Sequence, residues 1–265
     1  MSDTSRSAAQ GIIDLPVHSN EEYDWDLFRS QQYFEHNYAE MRKDDARMLA
    51  IVRDWFAKAV PDDLAVLLDG IDVGSGANLY PALALLPYCD SVTLYEYSRE
   101  NVSWLESAIK DLPESWLPFC DVLAPEAGDP RKLFELARGQ VAARCRVKQG
   151  SIFELASARW EIGTMFFCAD SLTEDLAEFD AALGRFVGAL KPGAPFAAAF
   201  MENSEGYEVG GTLFPAVSID ADRLTESFKA LGTVADLEVH HVDIDPLPIR
   251  PGYTGYLVAI GKVKD

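Results

Sequence analysis

The chain has 265 residues, 48% of them hydrophobic, which is enough to bury a full core and excludes disorder as its class. A formal charge of −20 excludes nucleic acid and anionic membrane as expected partners, because both would be repelled; it suits cationic ligands or plain solubility. No run approaches the about 18 uninterrupted apolar residues of a membrane span, and residues 1–10 hold no apolar signal core, so a soluble, cytoplasmic protein is expected. The four cysteines, Cys89, Cys120, Cys145 and Cys168, form no C-x-x-C pair, and free buried thiols are expected.

In chain order, residues 1–20 are expected to be flexible. From Asp26 to Lys58 the chain reads as helix in two pieces, and in the second Met48, Leu49, Val52, Trp55 and Phe56 share one face. Strands are expected at 66–73, 91–96, 144–149, 163–168, 194–201, 236–244 and 254–262. Helices are expected at 78–87, 99–110, 174–190 and 220–231. This alternation gives a mostly parallel seven-stranded sheet with helices on both faces, an α/β fold. The last two strands are bridged by a turn-rich loop, 245–252, so the final strand should run antiparallel in a hairpin at the sheet edge. Residues 112–142, with Pro113, Pro118, Pro125 and Pro130, break the rhythm and read as an insertion packed on the sheet. No repeat or linker divides the chain, so residues 21–265 are expected to form one domain.

The first strand ends in Asp72-x-Gly74-x-Gly76, and the second ends in Glu96 about 20 residues later, the layout of a nucleotide-binding βαβ unit. Leu79 stands where a dinucleotide site would have its third glycine, which speaks against an NAD-dependent oxidoreductase. Asp72, before the first glycine, suits a ligand with a cationic amino-acid end, and S-adenosylmethionine (SAM) fits that better than NAD. No cluster of His, Cys, Asp or Glu has metal-ligand spacing, and no P-loop or G-x-S-x-G motif occurs.

Four segments together are similar to the nicotinamide, phenylethanolamine and thioether/indolethylamine N-methyltransferases. They are Tyr33 to Tyr38, Ile71 to Tyr80, Tyr95 to Asn101 and Ala189 to Gly193. The resemblance runs from about residue 26 to 262 and implies the Rossmann-like fold of class I SAM-dependent methyltransferases, with SAM converted to S-adenosylhomocysteine (SAH). It implies an N-terminal helical lid over residues 21–60, whose Tyr33 and Tyr38 fold over the methionine end of SAM. By the same resemblance Asp72, Gly74, Ser75 and Gly76 form the turn under that end, and Tyr80 reaches the methionine carboxylate. Glu96, followed by Tyr97, binds the ribose hydroxyls, and Asn101 lies next to the adenine. After strand 3 the family usually has an Asp for the adenine amino group. Here the run is Lys148-Gln149-Gly150-Ser151-Ile152, and Ser151 is the candidate replacement.

On the acceptor side the resemblance implies Glu202 and Asp170 as catalytic candidates and Ser171 and Tyr207 as substrate contacts. Tyr253 and Tyr256 are weaker candidates. Asp170 and Ser171 have an alternative reading as the N-cap of the helix from Glu174, and Glu202 as a solvated strand-end carboxylate. A lone tyrosine pair spaced like Tyr33 and Tyr38 is otherwise a core feature. The expected reaction is methylation of an amine or ring nitrogen of a small molecule by a monomeric enzyme. Oxygen or carbon acceptors and a non-catalytic SAM-binding protein are the alternatives.

Overall fold

The computed structural model describes residues 18–61, 66–126, 128–245, 248–250 and 252–265. Most of the expected flexible N-terminus, residues 1–17, lies outside the described residues, as do 246, 247 and 251 of the expected hairpin loop.

Eight helices and nine strands follow one another among the described residues. Helices α1 (Ser30–Tyr38) and α2 (Lys43–Ala59) precede β1 (Leu68–Val73). Then come α3 (Tyr80–Leu85), β2 (Cys89–Glu96), α4 (Arg99–Ala108), α5 (Leu117–Leu123), α6 (Pro130–Arg144), β3 (Cys145–Gln149) and β4 (Ile162–Phe166). The chain continues with α7 (Leu176–Ala189), β5 (Pro195–Glu202), β6 (Tyr207–Val209), β7 (Thr212–Phe214), α8 (Ala221–Leu231), β8 (Val234–Val242) and β9 (Gly255–Val263). Seven strands form one sheet in the order β3-β2-β1-β4-β5-β9-β8. The first five are parallel, and β9 runs antiparallel between β5 and β8. This is the expected mostly parallel sheet with an antiparallel last strand, and β8 takes the edge.

Both faces are covered, so the central strands are apolar without alternation. On one face α2, α3, α5 and α6 bury Met48, Leu49, Phe56, Trp116, Phe119 and Phe134 against Ala197 and Ala199 of β5. There Trp55 Nε1 donates to the carbonyl of Phe196 at 3.0 Å, fixing α2 to the sheet. Of the stretch expected as a lid, α2 is therefore core, and only residues up to Tyr38 approach the cleft described below. On the other face α7 and α8 bury Phe179, Phe186 and Phe228 against Phe196 and Phe200.

Within residues 112–142 the chain forms α5 and α6. Pro118 and Pro130 sit in the first turns of α5 and α6, where a missing N–H costs nothing, and Asp129 caps α6 by accepting from Arg131 N at 3.1 Å. These two prolines start helices instead of breaking them, while Pro125 follows the end of α5. The hairpin β6–β7 has no counterpart in the sequence reading. Strand order reverses across β1, with β2 on one side and β4 on the other, and ligand sites of open α/β sheets lie at such a point. Among the described residues no helix is long and apolar enough to cross a membrane.

Candidate functional site

At the carboxyl end of β1 the backbone turns through Gly74 (φ +67°) and Gly76 (φ +55°). A Cβ on Gly74 would lie 2.3 Å from Cys168 Sγ, so this turn packs directly against the end of β4 and admits only glycine. Ser75 Oγ donates to the Asp72 carbonyl at 3.1 Å, and Asn78 Oδ1 accepts from Tyr80 N at 3.1 Å, which opens α3. Leu79 is buried in the core at that opening. The amide nitrogen of Asn78 is buried without a partner at the cleft floor.

Glu96 ends β2 and gathers the surrounding backbone. One oxygen accepts from Gly76 N at 2.8 Å; the other accepts from Tyr97 N and Ser98 N, both at 2.9 Å, and from Asn101 Nδ2 at 3.4 Å. Burial raises its pKa while these donors lower it, burial having the larger effect. Asn101 in turn accepts from Ser30 Oγ at 2.7 Å, linking α4 to the start of α1. Asp72 lies below the turn. One carboxylate oxygen accepts from Thr164 Oγ1 at 2.7 Å and the other is buried without a partner. Burial pushes its pKa to about 7.

Over this floor lies a narrow cleft of about 120 Å³, roofed by Trp25, Phe28, Tyr33 and Tyr38. It adjoins a wider depression of about 720 Å³, and Tyr33 and Tyr207 line both. Tyr207 donates to the Ser171 carbonyl at 3.3 Å, and its ring stacks on Phe214 with centroids 5.5 Å apart. Phe214 also stacks on Trp25 at 5.4 Å, so the β6–β7 hairpin supports the roof from outside.

The narrow cleft brings together Tyr33, Tyr38, Gly74, Ser75, Gly76, Glu96, Tyr97, Asn101, Ser151, Ser171 and Tyr207. Four expected site residues are placed elsewhere. Tyr80 is buried beneath Tyr38 and stacked on Phe119 at 5.3 Å, and Asp72 underlies the turn without lining the cleft. Asp170 is wholly buried, accepts from Met201 N at 2.9 Å, and keeps its other oxygen unpartnered. Burial pushes its pKa to about 6. Glu202 lines neither cleft. Strand alternation turns Met201 toward the depression and Glu202 away, where it accepts from Thr254 Oγ1 at 2.7 Å and meets His241 Nε2 at 3.2 Å. The N-cap alternative for Asp170 and Ser171 also fails, because α7 starts at Leu176 and Asp175 caps it, accepting from Ala177 N at 2.8 Å.

Sequence reading did not single out Asn78, Trp25, Phe28, Phe167 or Arg250, which all line the clefts. Phe167 (φ +53°) is a strained position just past β4 that no motif marks.

The model of the NNMT/PNMT/TEMT family matches residues 16–246. The chain belongs to this family. Human nicotinamide N-methyltransferase is 26% identical over 172 residues, covering 61% of this chain and 64% of that relative, a little under two thirds of its length. Among solved structures, a Burkholderia thailandensis 1,6-didemethyltoxoflavin-N1-methyltransferase bound to SAH has TM-score 0.51 at 18% identity, covering 96% of this chain and 94% of that one. A magnesium protoporphyrin IX methyltransferase from Synechocystis with bound SAM has TM-score 0.55 at 10% identity, over 89% and 92% of the two chains. At such identities the likeness shows the class I methyltransferase fold and nothing finer.

Proposed function

We propose that this family member is a SAM-dependent methyltransferase that holds SAM in the narrow cleft and methylates a nitrogen of a small molecule seated in the wider depression. The observation that carries this reading is the pair of adjoining clefts with Tyr33 and Tyr207 at their junction, the first floored by Glu96 and the glycine turn. The residues fit the group. Glu96 and Asn101 suit the ribose and adenine side, and the unpartnered Asn78 amide suits the amino-acid end. Asp72, buried below that end with its pKa pushed to about 7, contributes negative charge as pH rises through that value.

When bound, SAM supplies a methyl group already activated on a sulfonium, so that a carbon–nitrogen bond forms as the carbon–sulfur bond breaks and SAH leaves. The protein need only align the partners and exclude water, which is proximity catalysis without a covalent nucleophile. The aromatic roof performs the exclusion. Tyr33 and Tyr207 wall the junction, the latter oriented by its bond to Ser171. Burial is the main cause that raises the pKa of both tyrosines, and the charge of nearby Asp170 adds to it. Ionised above about pH 6, Asp170 can offset positive charge developing on the nitrogen. Glu202, held by Thr254 and His241, has no part in this reading.

Calorimetry against SAH and NADH, followed by a radiolabelled-SAM screen of amines, ring nitrogens and phenols, tests the proposal. Micromolar SAH binding and nitrogen methylation are expected. NADH binding without SAH heat, or methylation confined to phenols or carbon acids, would overturn it.

A further inference from the structure

We propose that the acceptor carries a carboxylate, bound by Arg250, in addition to the nitrogen that is methylated. The inference rests on the methyltransferase reading for the nitrogen but not for the carboxylate site. Arg250 lines the wider depression, its guanidinium carbon 4.7 Å from the centre of the Tyr207 ring. Among the described residues its side chain makes two polar contacts, both from Nη2 and both to neutral atoms: Ser204 Oγ at 3.0 Å and Met201 Sδ at 2.7 Å. Its Nε is buried without a partner, and among the described residues Arg250 forms no salt bridge. Arg144 is likewise half-buried without an ion pair among the described residues, but it donates to the Leu86 and Cys89 carbonyls at 3.2 and 2.9 Å, whereas Arg250 meets only a hydroxyl and a thioether. Among the described residues Nη1 carries no hydrogen bond and no acid neutralises the guanidinium, so the arginine offers a carboxylate in the depression a charge-assisted donor.

The acids around the depression do not substitute for that ligand. Glu174, Glu205 and Glu208 are exposed at its rim, and Glu174 is engaged by Tyr23 and His18. Buried Asp170 feels the Arg250 charge but accepts from the Met201 backbone. Rim acids and an inner arginine together suit a zwitterion, with the amine drawn in by the rim and the carboxylate anchored inside. Because Tyr207 touches both the arginine and the cleft junction, a carboxylate on Arg250 would position an attached nitrogen toward the methyl donor's cleft.

The test compares three ligands of one skeleton, 3-phenylpropionate, 3-phenylpropylamine and 3-phenylpropanol, titrated into the full chain with and without saturating SAH. Wild-type protein is expected to bind the carboxylate at least about tenfold tighter than the alcohol, the scale of one charge-assisted hydrogen bond. Arg250→Met should erase that preference, and Arg250→Lys should retain part of it with an unchanged melting temperature. Equal binding of carboxylate and alcohol by wild-type protein, or a carboxylate preference that survives in Arg250→Met, would overturn the proposal. SAH that fails to bind would instead remove the methyltransferase reading, and the carboxylate comparison would still be readable without it.

Discussion

Glu96 holds the surrounding backbone with the same two oxygens that we propose bind the ribose. Its four donors include the backbone N–H groups of Gly76, Tyr97 and Ser98. Glu96→Ala should weaken SAH binding by at least about tenfold, the loss of one charge-assisted bond. Calorimetry checks this, and affinity within twofold of wild type would dissociate Glu96 from the ligand. The variant should also melt earlier, because buried donors are left bare. Gly74→Ala is expected to be worse, since its Cβ meets Cys168 and its φ of +67° strains any side chain by about 1–3 kcal/mol. Cys168→Ala should not rescue it, because Cys168 Cβ is itself 2.5 Å from the added carbon; a double variant melting like wild type would contradict that. These backbone-defined residues are the legible part of the site, since D-x-G-x-G and a strand-end acid impose their geometry locally. Tyr80 and Glu202 were not legible, because a helix start and a strand end fix position but not which way the side chain turns. Arg250 carries no spacing signal at all; only the fold sets it over Tyr207.

Three ties hold the segment before and within α1 against α4. Asp26 accepts from Arg99 N at 2.8 Å and from Nε at 2.6 Å, Ser30 donates to Asn101, and Trp104 Nε1 donates to Gln31 at 2.9 Å. The Arg99 pair is solvent-exposed, so it adds little to global stability. It lies beside Trp25 and Tyr97, at the mouth of the narrow cleft. Asp26→Ala is therefore expected to speed SAH dissociation several-fold while leaving the melting temperature unchanged. Stopped-flow displacement measures this, and an unchanged off-rate would show that the roof is held by Phe28, Phe34 and Tyr38 packing instead. Among elements, the sheet strands and α2, α4, α7 and α8 were readable because apolar period and caps agree along each run. Helices α5 and α6 were not, because a proline reads as a breaker; Asp129 before Pro130 is a cap signal for α6, while α5 has no side-chain cap to mark it. The β6–β7 hairpin is three residues a side, too short to show alternation, and Phe214 is ordered by Trp25 and Tyr207 rather than by its neighbours.

Across the whole molecule the net charge of −20 makes buried acids a shared electrostatic load. Burial raises Asp45 and Asp72 to about 7 and Asp170 to about 6, from an ordinary value of 3.8. For such a group the folded state keeps its proton while the unfolded chain releases it. The favourable contribution is complete below pH 3.8 and drains away as pH rises through about 7. Asp45 isolates the effect, because it lies on α2 beneath the roof and lines neither cleft. Its raised pKa comes first from burial and then from neighbouring Asp44, against a smaller opposing pull from Arg42. The first turn of a helix favours a carboxylate by only about 0.3–1 kcal/mol, too little to reverse that balance. Asn in place of Asp45 can still accept from Arg42 N, as Oδ2 does at 3.4 Å, while carrying no charge. Asp45→Asn should therefore raise the melting temperature at pH 8, with the gain shrinking steadily toward pH 4. General charge repulsion acts on both proteins alike, so the difference between their pH curves reports Asp45. An Asn variant that melts below wild type at pH 8 would mean that the charged carboxylate is held favourably among Arg42 and the α2 amides, and that burial does not govern its titration.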